Sequence, residues 1–521
     1  MHFALRSTLQ YISFRKCFVF AFVMGFLVRL IPEVLALSYP IGFDTIYYAA
    51  SIKGGVVWHN WSEVFTSSWL LFGLVVPLYS VSHVDPFVLL KVSAPLLYGL
   101  NVAGVYWFSR KMLGWDRWLS LLAGGFFAVQ LASLRISWDL LRNMLGMGLL
   151  LFAFSFVRRL KSKLGFAAFV LLSLLTVFAH EYAAVTLVVV ILGLVFWRLA
   201  KKRSTLNEDK RLLIGFAPAL AVFLIGVYLR IFPIRYVVEN NIINAGDAVN
   251  PRPFGLFFLA DYLSVRSTVD YYVSYWDLAL SVGVLFGLLY LSYLFLVWKG
   301  FFRHEVLSVW TGLLVVGAFG CLVVPFSALE YWHRWMFMLV YPFTFYAVNG
   351  LKGFIGNYDG GNLRLGVAVS DRKVKGMVLL TVLLGGVYLA TPVLMSSVNV
   401  GLFSVSAVNR FFSFAPTVPY EDVDDVVSAM EWLDGRMDGS SCVILQHAFL
   451  WWGKLYLGSS HVIVHFENDV GSALDSAFEH GFSRAYFVWW NTPIGWYGIT
   501  VPEGFVRLRD FGRISVYEFV G

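Results

Sequence analysis

The sequence predicts an all-α polytopic membrane bundle of about eleven transmembrane helices, carrying a small C-terminal α/β domain on the extracytoplasmic side. Three observations lead there. Of 521 residues, 59% are hydrophobic and only 14% are charged, too little polar surface to cover a water-soluble globule of this size. Apolar stretches recur at the length needed to cross a hydrocarbon layer of roughly 30 Å, where a backbone has no partner but its own helix. The charge is also divided. Residues 420–521 carry 14 acidic side chains against 6 Lys and Arg, and residues 1–419 carry 34 basic against 18 acidic, so the first part is strongly cationic and the tail anionic.

In chain order the candidate spans are 17–36, 87–108, 118–134, 143–158, 164–179, 183–198, 212–229, 275–298, 306–325, 335–350 and 375–396. The first follows Arg6, Arg15 and Lys16 like a signal sequence, but it runs on through Arg29 and Pro32 without a small-residue cleavage site. It reads as an uncleaved first span. Trp69–Tyr79 is apolar but short. Counting it as a span would turn the Arg110-Lys111 and Arg158-Arg159-Lys161-Lys163 loops outward, against the positive-inside bias, so it reads as a re-entrant or interfacial helix within a large first outer loop, 37–86.

Loops 109–117, 158–163, 199–211, 299–305 and 351–374 then face the cytoplasm and hold most of the Lys and Arg, which explains the basic excess without nucleic acid. The outer face receives loop 37–86, the turns 135–142, 180–182 and 326–334, loop 230–274 and everything after about 397. The expectation is a plasma-membrane protein with a cytoplasmic N-terminus, a transmembrane domain over 1–397 and an extracytoplasmic domain over 398–521.

The tail changes character at Pro419: a helical pattern from Val423 to Met437, then short apolar runs Val443–Gln446, Val462–Phe466, Ala485–Trp489 and Ile514–Phe519 between Gly, Asp and Asn turns. Glu421, Asp422, Asp424 and Asp425 suit the N-terminus of that first helix better than a metal site. Cys17, Cys321 and Cys442 have no metal-binding or disulfide spacing. Gly360-Gly361-Asn362 reads as a cytoplasmic turn, not a nucleotide cradle. His59 and His83 read as interfacial.

Ionisable residues at the ends of spans are costly unless solvated or paired, which makes their distribution informative. Asp44, Glu63, Arg135, Asp139, Arg142, His180, Glu181, Glu330, His333 and Arg334 all fall on the outer side. Asp44 sits in Gly42-Phe43-Asp44-Thr45-Ile46-Tyr47-Tyr48, where it reads either as the cap of a helix starting at Thr45 or as a general base for a hydroxyl nucleophile. Arg135, Asp139 and Arg142, spaced by four and three, read as one face of a helix end, whether as an internal ion pair or as part of a site. His180-Glu181-Tyr182 supplies the polar turn of a helical hairpin and two further titratable groups. Arg334, beside His333 and Glu330 at the mouth of a span, reads as an interfacial Arg or as a guanidinium for a lipid-headgroup phosphate.

With Gly42–Tyr48 after the first span, Trp138-Asp139 in the second outer loop, and Arg334-Trp335 with Pro342 in a late span, the chain resembles the GT-C superfamily of membrane glycosyltransferases. That group includes oligosaccharyltransferases, protein mannosyltransferases and lipid A aminoarabinose transferases. The resemblance implies inverting transfer of a sugar from a polyprenyl-phosphate or polyprenyl-diphosphate carrier to a lipid, glycan or protein acceptor. It implies Asp44 as base or as ligand of a divalent cation (Mg or Mn) with Asp139 and Glu181, Asp139 as the second-loop acid, and His180 or Glu181 completing the site. Arg334, with His333 and Arg142, would neutralise the carrier phosphate; Glu330 and Arg135 would support. Two features depart from the family: Trp451-Trp452-Gly453 and Trp489-Trp490-Asn491 lack the Asp of the oligosaccharyltransferase tail motif, and Thr45 follows Asp44 where protein mannosyltransferases have Glu. The competing expectation is a transporter or flippase of lipid-linked glycans, which calls for inverted repeats and broken helices, neither of which the sequence displays. A third is an inactive partner in envelope assembly.

Overall fold

The computed structural model describes residues 14–36, 38–201, 206–232, 241–245, 275–323, 332–354, 372–394, 417–467, 469–491 and 500–520. Glu330, the Gly360-Gly361-Asn362 turn and loop residues 246–274 lie outside them. The chain is mostly helical. Among the described residues, seven helices are long and apolar enough to cross a membrane: Phe14–Leu35, Pro86–Lys111, Leu141–Arg159, Glu181–Ala200, Asp209–Ile231, Glu305–Leu322 and Arg372–Pro392.

The other four expected spans are short or broken. Residues 164–179 form a single helix, Lys163–Ala179, of 17 residues, about 25 Å long. Residues 118–134 form two helices, Arg117–Ala128 and Leu131–Asp139, bent by 62°. The bend has a polar cause: buried Gln130 reaches out of the helical ladder to Tyr293 Oη and to Thr344 Oγ1, the latter at 2.9 Å. Tyr98 Oη donates to the carbonyls of Phe127 and Ala128, at 3.4 and 3.0 Å. In place of 335–350 stand Trp332–Met338 and Val340–Lys352. Pro342 has no N–H for the carbonyl of Met338 four residues back. Tyr290 Oη donates to the carbonyls of Met336 and Phe337, at 2.6 and 3.2 Å. In the stretch 275–298, Tyr275–Tyr290 ends before Leu294–Lys299 begins.

The first loop holds three helices, Thr45–Gly54, Glu63–Thr66 and Leu70–Ser82. The last has 13 residues, about 20 Å at 1.5 Å per residue and too short to cross. The first span turns a buried Arg29–Glu33 pair inward, 2.8 Å, with Lys91 at 3.5 Å from Glu33. Arg29 Nε donates to the carbonyl of Ser137 at 3.0 Å and the guanidinium lies over Trp138, which ties the span to the helix Leu131–Asp139. At the other ends of the helices, Arg158 meets His304, and Arg198 meets Asp209 and Glu305, so three of the basic loops gather on one face.

The tail folds around a sheet in the order β1-β3-β2-β4-β6-β5, with β1 Ile242–Asn244, β2 Ser441–Gln446, β3 Val462–Phe466, β4 Arg484–Trp490, β5 Phe505–Phe511 and β6 Ile514–Phe519. The first four strands are parallel and the last two form an antiparallel hairpin on β4. β2, β3, β4 and β6 are the four apolar runs of the sequence. β5, whose Arg507, Arg509 and Asp510 obscure its alternation, was not legible. β1 is more consequential, because in the chain it falls between the helices Asp209–Ile231 and Tyr275–Tyr290, far from the tail: Ala245 N donates to the carbonyl of His465 and Ile463 N to that of Asn241, at 2.9 and 2.8 Å. The membrane domain thus supplies a strand to the tail's sheet. Ala245→Pro removes one of these donors. Hydrogen exchange should accelerate at the amides of 462–466 while the exchange of β6 stays as it was.

Candidate functional site

The site begins with the turn after the first span. Gly42 has φ +107, a backbone conformation open to glycine. A Cβ there would stand 2.7 Å from the carbonyl oxygen of Trp138 and 2.7 Å from Asp139 Cβ. The turn is pressed onto the end of the helix Leu131–Asp139, where Phe43 N donates to Asp139 Oδ2 at 3.3 Å. Asp139 is itself buried and paired with Arg135 across one helical turn. Asp44 is the N-cap residue of Thr45–Gly54, but its side chain makes no capping hydrogen bond. Of the two readings open for Asp44, capping does not occupy its carboxylate.

That carboxylate faces a cavity of about 180 Å³ lined by Phe43, Asp44, Tyr47, Arg142, Thr417, His447 and Trp451. Its floor comes from the membrane domain and its roof from the tail. Trp451 packs on Tyr47 with ring centroids 4.7 Å apart. Beside the cavity, Lys53 Nζ donates to the carbonyl of Leu455 at 2.6 Å and Tyr39 Oη to Asp424 at 2.7 Å. Burial and the neighbouring charge of Asp139 raise the proton affinity of Asp44 above that of an ordinary carboxyl, against the lowering pull of Arg334, Arg142 and Arg135. Desolvation and one like charge outweigh three cations.

The structure therefore brings Asp44, Asp139, Arg135, Arg142 and Arg334 within one another's fields. It divides the expected common face of Arg135, Asp139 and Arg142, because the chain leaves helical geometry at Leu140 (φ −89, ψ 51) and a new helix starts at Leu141. Arg142 then sits over Tyr47, Tyr48 and Phe72, 5.7–5.9 Å from the ring centroids. His333 and Arg334 lie in the first turn of Trp332–Met338. His180 accepts the Tyr182 amide on Nδ1 at 3.2 Å. Burial, aided by Arg142, Arg334 and Arg230, pushes its pKa down to about 3, so it is neutral near pH 7. Glu181 pairs with Arg230 at 3.2 Å, and Arg230 also holds the carbonyl of Thr66.

The expected Mg or Mn cradle of Asp44, Asp139 and Glu181 fits poorly with these pairings. Such ions want several unencumbered oxygens, whereas Asp139 is held by Arg135 and an amide and Glu181 by Arg230. The tail's acidic cluster is engaged as well: Asp424 by Tyr39, Asp422 by Trp490 at 2.8 Å, and Glu421 and Asp425 by Arg513. His59 is half exposed beside Glu63.

Sequence reasoning did not find Thr417, His447 or Arg230. None stands in a motif, and each becomes relevant through residues distant in the chain: Thr417 and His447 by lining the cavity of Asp44, and Arg230 by pairing with Glu181. No protein-family model matches the chain and no curated protein matches it, so the chemistry rests on the geometry. Because the proton affinity of Asp44 is raised in the folded chain, the unfolded chain ionises first as pH rises. Stability should fall from about pH 4 upward until the folded carboxyl has also ionised, then level off. Asp44→Asn should remove this loss, giving a higher melting temperature than wild type at pH 7 and little difference at pH 3.5, read by thermal melts in detergent. Arg135→Leu, by contrast, leaves Asp139 buried and uncompensated and should cost about 3–5 kcal/mol, while the double variant with Asp139→Leu recovers part of that loss.

Proposed function

We propose that the chain is a GT-C-like inverting glycosyltransferase that uses a polyprenyl-phosphate-linked sugar. In this reading about eleven segments cross the plasma membrane, the N-terminus is cytoplasmic and the tail domain is extracytoplasmic, as the positive-inside bias requires. The observation that carries the reading is the placement of Asp44 and Arg142 on one cavity, within the field of Arg334 and beneath the tail. The volume equals that of about six waters, suited to a single sugar ring.

The acceptor hydroxyl attacks the anomeric carbon from the side opposite the phosphate, and its proton passes to Asp44. The bond from the anomeric carbon to the phosphate oxygen breaks, and its electron pair leaves with the carrier phosphate. Arg334 and Arg142, flanked by His333, neutralise that charge, and fixed cations at a developing anion supply much of the catalysis. Raised proton affinity makes Asp44 a stronger base than an ordinary carboxylate. Asp139, bonded to Phe43 N, acts as a positioning residue. The acceptor is a lipid, a glycan or a protein, and no nucleic acid takes part.

One feature favours the alternative of a lipid-glycan transporter: the breaks at Val129–Gln130 and at Leu339 give the helix interruptions typical of transporters, which the sequence did not display. The two readings separate in one experiment. Wild type, Asp44→Asn and Arg334→Ala are supplied with polyprenyl-phosphate and polyprenyl-diphosphate sugars extracted from native membranes. Donor consumption should fall by roughly 100-fold or more in both variants. No consumption by wild type, together with movement of the donor between leaflets of vesicles, would overturn the enzyme reading in favour of transport.

A further inference from the structure

We infer that the tail domain holds a divalent transition-metal ion, of the zinc class, on His447, His465 and Glu467. The inference stands on its own geometry and does not depend on the transfer reaction. Ligand atoms of these three side chains all lie within 4.8 Å of one another, the one such group of His, Cys, Asp and Glu among the described residues. Glu467 Oε1 is 3.6 Å from His447 Nδ1 and 3.8 Å from His465 Nε2. These separations are long for hydrogen bonds but close to the edge of a coordination tetrahedron, about 3.3–3.6 Å for ligands roughly 2.0–2.2 Å from zinc. Two imidazoles and one carboxylate form a donor set that suits zinc and leaves a fourth position for water or substrate.

A second observation concerns the outer support of the ligands. His465 Nδ1 lies 3.1 Å from Asn244 Oδ1. An amide oxygen can only accept, so this pairing selects the Nδ1–H tautomer of the neutral ring, which leaves on Nε2, the atom facing Glu467, the lone pair that a metal needs. Ligating histidines are held by such an outer hydrogen bond on the other nitrogen. Asn244 is the register partner of His465 across β1 and β3.

The placement is also that of a ligand site in an open α/β sheet. His447 follows β2, His465 and Glu467 close β3, and Asn244 closes β1, all at the carboxyl ends of parallel strands. His447 lines the cavity of Asp44, and its ring stacks on Phe43 at 6.3 Å. An ion here would join the helix after β2 to the end of β3, with β1 reached through Asn244, at the border of that cavity.

The test uses the full chain in detergent, stripped with a chelator, dialysed and titrated with zinc chloride, with bound metal read by mass spectrometry. Wild type and Asp44→Asn should each take up about one zinc per chain. Asn244→Ala should bind roughly 10–100-fold more weakly, and His447→Ala/Glu467→Gln should lose stoichiometric uptake. Glu467→Gln alone, on a side chain that is 40% exposed, decides the matter should the double variant fail to fold by circular dichroism. Equal uptake by wild type and Glu467→Gln, or no uptake by wild type, would overturn the inference. Uptake abolished by Asp44→Asn would also overturn it, by moving the ion to the carboxylates of the membrane domain.

Discussion

Asp139 accepts the Phe43 amide while Arg135 neutralises it, and the layout of the cavity follows from where that leaves the chain after Gly42. A carboxylate this buried persists only when paired and hydrogen-bonded. Arg135 supplies the charge from one helical turn away, and the amide supplies the bond. Because the turn at Gly42 has no room for a side chain against Trp138, the first loop has one seat on the helix below it. Asp44 follows directly after Phe43, so its position is fixed by the seating of that turn. From there Thr45–Gly54 runs outward beneath the tail, with Tyr47 and Lys53 as the points of contact.

The broken helices follow from the same scarcity of water. Backbone carbonyls near an interruption need a partner that lipid cannot supply, and two of the interruptions have a tyrosine donor: Tyr98 at Phe127 and Ala128, Tyr290 at Met336 and Phe337. Tyrosine reaches across a helix pair with an apolar ring and ends in a donor. The two breaks meet where Gln130 contacts Thr344, so the bends brace one another. Rigid interruptions of this kind hold Asp139 and Arg334 at fixed ends of short helices, which suits a site built from many elements.

Much of this was legible because lipid imposes a strong rule on the length of apolar runs. The seven long helices, the short apolar helix after Trp69 and four of the tail strands all follow from hydrophobic run length, and the gathering of Asp44, Asp139, Arg142 and Arg334 follows from their shared place at the ends of the expected spans. Run length fails where a buried polar residue outcompetes the ladder, as at Gln130, or where a proline leaves it without a donor, as at Pro342, and the expected spans became pairs of helices. It also fails for β5, whose polar face hides the alternation, and for β1, three residues whose strand character exists only against β3. His447 and His465 lie 18 residues apart at the ends of two apolar runs. Their convergence is a property of the parallel sheet and not of any local spacing.

The balance at Asp44 bears on what the arginines are for. Three guanidinium charges act on this carboxylate, and its proton affinity is nevertheless raised, because burial and Asp139 prevail. Arg142 lies among the rings of Tyr47, Tyr48 and Phe72 and interacts with the Tyr48 hydroxyl, and it lines the same cavity, where its charge is set to meet an anionic partner. In the proposed reaction that partner is the carrier phosphate. Its arrival would offset the arginines' pull on Asp44 and raise the carboxylate's proton affinity further, so that the base strengthens when the donor is in place. Closure by the tail strengthens each of these interactions, since the same charges in open water would be screened. The strand lent at β1 and the contacts at Lys53 and Tyr39 keep the cavity roofed, and the electrostatics of Asp44 depend on that roof as much as on the residues beneath it.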